Sequence, residues 1–161
     1  MRIGVVSDTH NHLKNVARIV ELFNAARVDH VIHTGDITQA RTLDVFARLQ
    51  MPMHGVFGNN DVERDTLLPA VTRHGFVFVE PPLRIQWHGR AIVVVHDPRD
   101  FDALALAPDT IALHGHTHNH RIERTGGGLI FNPGECAGHM HGFNTIGVLD
   151  LASLDVELLN F

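Results

Sequence analysis

Three short apolar runs in the first 60 residues each end in a polar loop, and a helical pattern separates one run from the next. The runs predict β-strands at residues 3–7, 28–34 and 53–57. Apolar residues at spacings of three and four predict amphipathic helices over residues 13–26 and around residues 43–47. Because strands and helices alternate, the sequence predicts a parallel sheet with right-handed crossovers.

The second half of the chain is predicted to consist mostly of strands. They are expected at residues 76–79, 83–87, 91–96, 110–114, 120–124, 129–132, 145–151 and 155–159. One further helix is predicted at residues 101–106, and glycines 126–128 are predicted to form a hairpin turn. The length of 161 residues is close to that of one domain of about 150 residues. Residues 1–161 are therefore predicted to form a single α/β domain, in which two mixed β-sheets pack as a sandwich flanked by helices.

The composition favours a metal site built from nitrogen and oxygen ligands. The chain has 14 histidines but a single cysteine, Cys136. One cysteine excludes both an internal disulfide and a cysteine-rich zinc module, and it fits a reducing, cytoplasmic location. Imidazole and carboxylate ligands instead suit first-row transition metals.

Charge and hydropathy argue against two classes of partner. The formal net charge of −5 and the pI near 6.2 disfavour the broad basic surface that duplex nucleic acid requires. No apolar run approaches the roughly 20 residues of a membrane span, so no membrane association is expected. A small anionic substrate remains compatible with this composition, because a bound metal would attract it.

Polar loops follow five of the predicted strands, and they contain carboxylates, side-chain amides and imidazoles. These loops are residues 8–10, residues 35–36, residues 58–61, His96 and residues 114–118. In an open α/β sheet, ligands bind beyond the carboxyl ends of the strands. One metal needs only three or four ligands, so the surplus predicts two ions that share a carboxylate, as in enzymes that hydrolyse phosphate esters.

The order of these motifs resembles that of the calcineurin-like metallophosphoesterase family. It reads Asp-x-His, Gly-Asp, Gly-Asn-x-Asp, a lone His and Gly-His-x-His, from Asp8 to His118. The Asn-Pro-Gly segment at residues 132–134 also resembles the small single-domain prokaryotic phosphodiesterases of that family. Each motif alone is weak, whereas five in order after predicted strands are a strong signal.

The resemblance implies two divalent metal ions, with manganese favoured and nickel, cobalt, iron or zinc as alternatives. It implies that the first ion is held by Asp8, His10, Asp36 and His118, and the second by Asn59, His96 and His116. Asp36 would bridge the two ions. A shared water of lowered pKa would then supply a metal-bridging hydroxide for in-line attack on phosphorus.

The predicted activity is that of a phosphodiesterase acting on a small phosphate ester. We assign catalytic roles to Asn60, Asp36 and His10. One alternative is a phosphomonoesterase acting on a small phosphorylated metabolite or nucleotide. Another is a non-catalytic scaffold that keeps the fold. The resemblance also suggests a homodimer.

The sequence departs from the family pattern at Asn60, where many members have a histidine that can protonate the leaving group. An amide cannot transfer a proton, so a contribution of about 10²- to 10⁴-fold is expected to be missing or supplied elsewhere. Diesters with acidic leaving groups would suffer least. His12 and His114 are candidate replacements for the acid, although a structural role is expected for both. A second departure is Asp97, which is predicted to hydrogen-bond a ligand imidazole.

Each of these residues also has a purely structural interpretation. Asp8 could cap the following helix, and Asp36 and residues 59–61 could form ordinary turns. His33 is predicted to support the site from behind, and Asp61 to orient the Asn59 loop rather than bind metal. The remaining histidines are predicted to serve as surface or local structure: His30, His54, His74, His88, His120, His139 and His141.

Overall fold

Two β-sheets lie face to face in this computed structural model, which describes residues 1–139 and 142–161. The first sheet contains β1 (Arg2–Val6), β2 (His30–His33), β3 (Met53–Val56), β4 (Val77–Val79), β10 (Thr145–Asp150) and β11 (Val156–Asn160). Its strand order is β11-β10-β1-β2-β3-β4. Strands β1 to β4 are parallel, and β10 pairs antiparallel with β1. The predicted parallel arrangement of the first half is therefore confirmed.

The second sheet contains β5 (Leu83–Trp87), β6 (Arg90–Val94), β7 (Ile111–Leu113), β8 (Arg121–Thr125) and β9 (Gly128–Asn132). Its strand order is β5-β6-β7-β9-β8. Strand β7 runs parallel to β6 and β9, while β5 and β8 are antiparallel to their neighbours. Gly126 and Gly127 turn the chain between β8 and β9, as predicted, and Pro81 and Pro82 connect the two sheets.

Three α-helices pack on the outer face of the first sheet: α1 (Leu13–Ala26), α2 (Ala40–Phe46) and α3 (Arg64–Arg73). Helix α1 buries Val16, Ile19, Val20 and Phe23, the stripe that its periodicity predicts. Two expectations were wrong. Helix α3 was not predicted, and residues 98–103 form a 3₁₀ helix, Pro98–Ala103, where an α-helix was expected at 101–106.

The main core between the sheets consists of aliphatic side chains that alternate along each strand. Ile3 and Val5 of β1 point toward the second sheet and meet its buried residues Ile92 and Val94. The neighbouring position, Gly4, faces the helices instead, because a Cβ there would lie 2.5 Å from the ring of Phe23. Burial of each large aliphatic side chain contributes about 1.5–3 kcal/mol.

The topology brings the carboxyl ends of β1, β2, β3, β6 and β7 to one edge of the sandwich. The first three are parallel neighbours in one sheet, and the last two are parallel neighbours in the other. All five polar loops start from these ends. Among the described residues, no helix is both long and apolar enough to cross a membrane.

Candidate metal centre

The first cluster of ligand atoms lies between the β1 loop and the β7 loop. Asp8, His10 and His118 each offer one ligand atom, and these atoms all lie within 4.8 Å of one another. The distance from Asp8 Oδ1 to His118 Nε2 is 3.5 Å. Asp8 Oδ1 and His10 Nε2 are both buried without a hydrogen-bond partner in the structure. Burial of such polar atoms costs free energy unless they have a partner. A cation bound between them would supply that partner, so this set of donor atoms fits a cation.

The second cluster joins the β3, β6 and β7 loops. Asn59 Oδ1 lies 3.0 Å from His96 Nε2 and 3.0 Å from His116 Nδ1. The two imidazole nitrogens are 3.3 Å apart. One amide oxygen and two imidazole nitrogens thus converge on one point, which is a donor set that transition metals accept.

Asp36 lies between the two clusters. Its Oδ2 atom is 3.6 Å from His10 Nε2 and 3.5 Å from His96 Nε2. Asp8, Asp36 and His96 also form a group whose ligand atoms lie within 4.8 Å of one another. The structure therefore brings all seven predicted ligands to one edge of the sandwich, with Asp36 in the position of a shared carboxylate.

Asp36 and His96 shift each other's pKa. Burial alone would lower the pKa of His96, but the hydrogen bond and charge of Asp36 raise it to about 9. Burial would likewise raise the pKa of Asp36, yet His96 and Asn60 hold that pKa well below its ordinary value. The site therefore keeps a carboxylate ionised at its centre and attracts positive charge there.

Positive φ angles are frequent in the loops that carry the predicted ligands. Five of the seven predicted ligands have positive φ angles: Asp8, His10, Asp36, His116 and His118. This conformation is uncommon outside glycine, and residues that hold it tend to cluster at functional sites. The loops aim these side chains at one another at a local energetic cost. Asp8 is not the cap of α1, because His12 occupies that position and accepts from Asn15 N.

Two glycines allow the loops to approach each other closely. A Cβ on Gly58 would lie 2.2 Å from Asp36 Oδ1, and one on Gly115 would lie 2.6 Å from Asp8 Oδ2. Real Cβ atoms do not come so close to backbone-anchored carboxylates. The glycines of the Gly-Asn and Gly-His motifs are therefore required by the packing of the ligand carboxylates.

Asp61 ties the β2 loop to the β3 loop. Its buried carboxylate accepts hydrogen bonds from Asp36 N at 2.9 Å, Thr38 N at 2.5 Å and Gly58 N at 2.7 Å. Burial raises the pKa of Asp61, while these amides oppose that effect. This geometry agrees with the predicted orienting role.

His33 connects the β1 and β2 loops. Gly35 N donates to His33 Nδ1 at 3.1 Å, so the other nitrogen carries the proton and donates to Thr9 Oγ1 at 3.1 Å. Burial lowers the pKa of His33 to about 3. The ring therefore stays neutral and supports the site from behind, in agreement with its predicted role.

Asn60 and Asp97 contact predicted ligands. Asn60 donates to Asp36 through its backbone N at 3.0 Å and its side-chain Nδ2 at 2.7 Å. Asp97 Oδ2 lies 3.7 Å from His116 Nε2. Asn60 thus positions the Asp36 carboxylate. Asp97 lies beside the His116 imidazole, but 3.7 Å is too long for the hydrogen bond that the sequence predicted.

His114 is buried, and burial lowers its pKa.

His139 lies closer to the candidate centre than the sequence indicated. Its ring centroid is 5.9 Å from that of His10 and 5.7 Å from that of His118. The buried Glu135 was also missed, and its Oε2 lies 3.9 Å from His118 Nδ1. The only sequence signal for either residue is that they follow the Asn-Pro-Gly segment. His141 lies outside the described residues.

Comparison with known proteins points to one family. Residues 1–154 match a family model described as the calcineurin-like phosphoesterase superfamily domain. A phosphodiesterase of Methanocaldococcus jannaschii is 32% identical over 157 residues, which cover 93% of this chain and 93% of that protein. A solved structure of an archaeal phosphodiesterase has a TM-score of 0.89 at 29% identity, with 100% of both chains covered.

A more distant phosphoesterase from E. coli supports the fold alone. Its TM-score is 0.74 at 19% identity, covering 99% of this chain and 98% of that one. The predicted two-sheet sandwich is confirmed by these neighbours and by the strand order described above. The family model spans nearly the whole sequence, and the motifs that carry the resemblance converge at one edge of the fold. This chain therefore belongs to the calcineurin-like phosphoesterase superfamily and is a metal-dependent phosphoester hydrolase.

Proposed function

We propose that this protein is a dinuclear-metal phosphodiesterase that acts on a small phosphate diester. The observation that supports it most directly is the position of Asp36 Oδ2, at 3.6 Å from a nitrogen of one cluster and 3.5 Å from a nitrogen of the other. A carboxylate in that position offsets the repulsion between two neighbouring cations.

The residues divide into two ligand sets around Asp36. Asp8, His10 and His118 would hold one ion with Asp36, and Asn59, His96 and His116 would hold the other with the same carboxylate. Two divalent ions there would lower the pKa of a water and neutralise charge that develops on phosphorus. The imidazoles and the amide add no negative charge, so the centre would keep enough positive charge to attract a phosphate.

Several supporting groups keep this arrangement in place. Asp61 holds the two loops that present Asp36 and Asn59, and His33 holds the loop before Asp36. Asn60 fixes the shared carboxylate through two hydrogen bonds. Removal of such supporting contacts commonly costs 10- to 100-fold in metal affinity or activity.

Manganese is the proposed ion, with nickel, cobalt, iron and zinc as alternatives. A mixture of carboxylate, amide and imidazole ligands suits all of them, and metal supply decides among them. We also propose a cytoplasmic location, which is supported by a buried free thiol at Cys136. Whether the protein is a homodimer is testable by light scattering of the purified protein.

Asn60 is the main support for diesters over monoesters. Its side chain is an amide that donates to Asp36, so it supplies no proton to a departing alkoxide. Diesters with acidic leaving groups need that proton least. The relatives at 32% and 29% identity are themselves described as phosphodiesterases.

The test is a paired hydrolysis assay. Chelated protein is reloaded with Mn²⁺, Ni²⁺, Co²⁺, Zn²⁺ or Mg²⁺ and offered bis(p-nitrophenyl) phosphate and p-nitrophenyl phosphate. We expect metal-dependent cleavage that favours the diester. Asp36→Asn should lower it at least 100-fold, whereas the same change at the exposed Asp109 should leave it unchanged.

The other outcomes separate the alternatives. A preference for the monoester would refute the argument from Asn60 and leave the metal site intact. Bound metal without turnover of either ester would favour the scaffold. Binding of one ion per chain at saturation, measured by elemental analysis, would refute the dinuclear assignment.

A further inference from the structure

A cavity of about 830 Å³ opens directly beside the second ligand cluster. Asn59, His96 and His116 form the edge that the cavity shares with the candidate metal centre. A phosphate ester held at that centre would therefore have room for an organic group on this side. The rest of the cavity contains no predicted metal ligand.

Part of the cavity lining is apolar. It includes Phe57, Val62 and Pro81. Val62 is 78% exposed, although valine is an apolar residue that is usually buried. Phe57 is only 3% exposed, and the guanidinium carbon of Arg64 lies 4.0 Å from the centre of its ring. The planar guanidinium group stacked on Phe57, rather than the ring itself, therefore faces the cavity. Such a wall matches a planar, apolar group.

The charges around the cavity disfavour a second anionic group. Arg64 donates to Glu80 at 2.8 and 3.2 Å, and Arg99 forms an ion pair with Asp97 at 2.5 Å. Both guanidinium groups are therefore neutralised by their partners. Beyond these two pairs, Asp100 adds a further carboxylate to the lining, whereas the carboxylate of Asp61 is buried and bound by backbone amides. An additional phosphate or carboxylate on the substrate would be repelled.

We propose that this cavity binds an uncharged aromatic ester group of the substrate while the phosphate lies at the metal centre. The proposal rests on the proposed function, because it needs a phosphate at Asn59, His96 and His116. It makes the enzyme selective for small esters with a neutral ring over esters that carry further phosphate or carboxylate groups. Val62 contributes to binding of the ring because it is an exposed apolar residue of the cavity lining.

The test uses phosphonates, whose carbon–phosphorus bond resists hydrolysis, so binding is measured without turnover. Inorganic phosphate, methylphosphonate, phenylphosphonate and 4-carboxyphenylphosphonate are titrated into the Mn²⁺-loaded protein by calorimetry. Burial of the ring should make phenylphosphonate bind roughly tenfold tighter than methylphosphonate. The carboxylated ring should bind about fivefold more weakly than the plain ring.

Two substitutions at Val62 test where the ring binds. Val62→Ser should reduce the preference for phenylphosphonate to about threefold and leave the affinity for methylphosphonate unchanged. Val62→Lys should make 4-carboxyphenylphosphonate the tighter ligand of the two aryl compounds. Ile122→Ser is the matched control, because Ile122 is also exposed, at 45%, but lies on β8 and outside the lining of this cavity.

The results separate this proposal from the function on which it rests. Failure of inorganic phosphate to bind the loaded protein would overturn both. Binding of phosphate with equal affinity for methyl- and phenylphosphonate would overturn the aromatic subsite alone. A phenyl preference that neither Val62 variant changes would also overturn it, because the ring would then lie elsewhere.

Discussion

Replacement of Asp61 by asparagine should change the free energy of unfolding through two opposing effects: lost hydrogen bonds and relief of a buried charge. Asp61 Oδ2 accepts from the backbone N of Asp36 and of Gly58, and Oδ1 accepts from Thr38 N. An asparagine oxygen can keep the first two bonds, but its NH₂ group would then face the Thr38 donor. One unpaired buried donor costs about 1–3 kcal/mol, and hydrogen bonds to a charged acceptor are worth about 1.5–3 kcal/mol each.

The opposite effect is relief of the buried charge. Burial and the nearby charge of Asp36 both raise the pKa of Asp61, so a neutral side chain recovers part of that cost. We expect the hydrogen-bond effect to dominate, because the bond from Thr38 N is lost and the other two weaken when their acceptor is no longer charged. Asp61→Asn should lower the free energy of unfolding of the metal-free protein by about 2–4 kcal/mol.

Urea unfolding followed by far-UV circular dichroism at pH 7 measures this change. Asp109→Asn is the matched control, and as an exposed substitution it should stay within about 0.5 kcal/mol of the parent. Metal affinity of Asp61→Asn, measured under fully folded conditions, should fall at least tenfold because both ligand loops lose their anchor. Unchanged or increased stability would show that the charge penalty dominates and would refute the reasoning.

Two further predictions concern groups that support the ligands. The pKa of His33 is about 3 in the folded protein, against an ordinary value of 6.5. The free energy of unfolding of the metal-free protein should therefore fall as pH drops from 6.5 toward 3, by up to about 1.4 kcal/mol per pH unit from this residue. His33→Gln should remove this contribution to the pH dependence, which urea unfolding at pH 5, 6 and 7 measures. Gly115→Ala places a Cβ 2.6 Å from Asp8 Oδ2, so calorimetry should show at least tenfold weaker metal binding. Gly75→Ala, where a Cβ meets nothing within 4 Å, should lose stability without losing metal, and equal metal affinity of the two variants would contradict the argument.

Local periodicity was sufficient to predict the elements that dominate the core. Helix α1 buries the four positions that its spacing indicates, and β1 to β3 follow from short apolar runs that end in polar residues. Helix α3 was missed although Leu67, Ala70 and Val71 have helical spacing, because Pro69 lies among them. Its Leu67, Ala70 and Val71 do reach the core beneath it. Their burial outweighs a sequence that locally disfavours a helix.

The candidate site was also predictable from the sequence only in part. The order of the motifs was enough to place seven predicted ligands in five loops, because the carboxyl ends of parallel strands meet at one edge. Sequence gives no measure of how the loops contact one another. The proximity of His139 to His10 and the ion-pair distance between Glu135 and His118 depend on a long connection that returns to the site. Such contacts follow from tertiary packing rather than from local pattern.

The backbone conformation of the predicted ligands depends on the packed core beneath them. Five predicted ligands hold positive φ angles that they would rarely adopt alone. Their conformation persists because Asp61 and His33 bind the loop backbone from behind, and because Gly58 and Gly115 let the loops pack against the ligand carboxylates. The supporting groups are themselves fixed by buried strands. Rigid ligand positions therefore originate in the sandwich, because its buried strands hold the groups that bind the ligand loops.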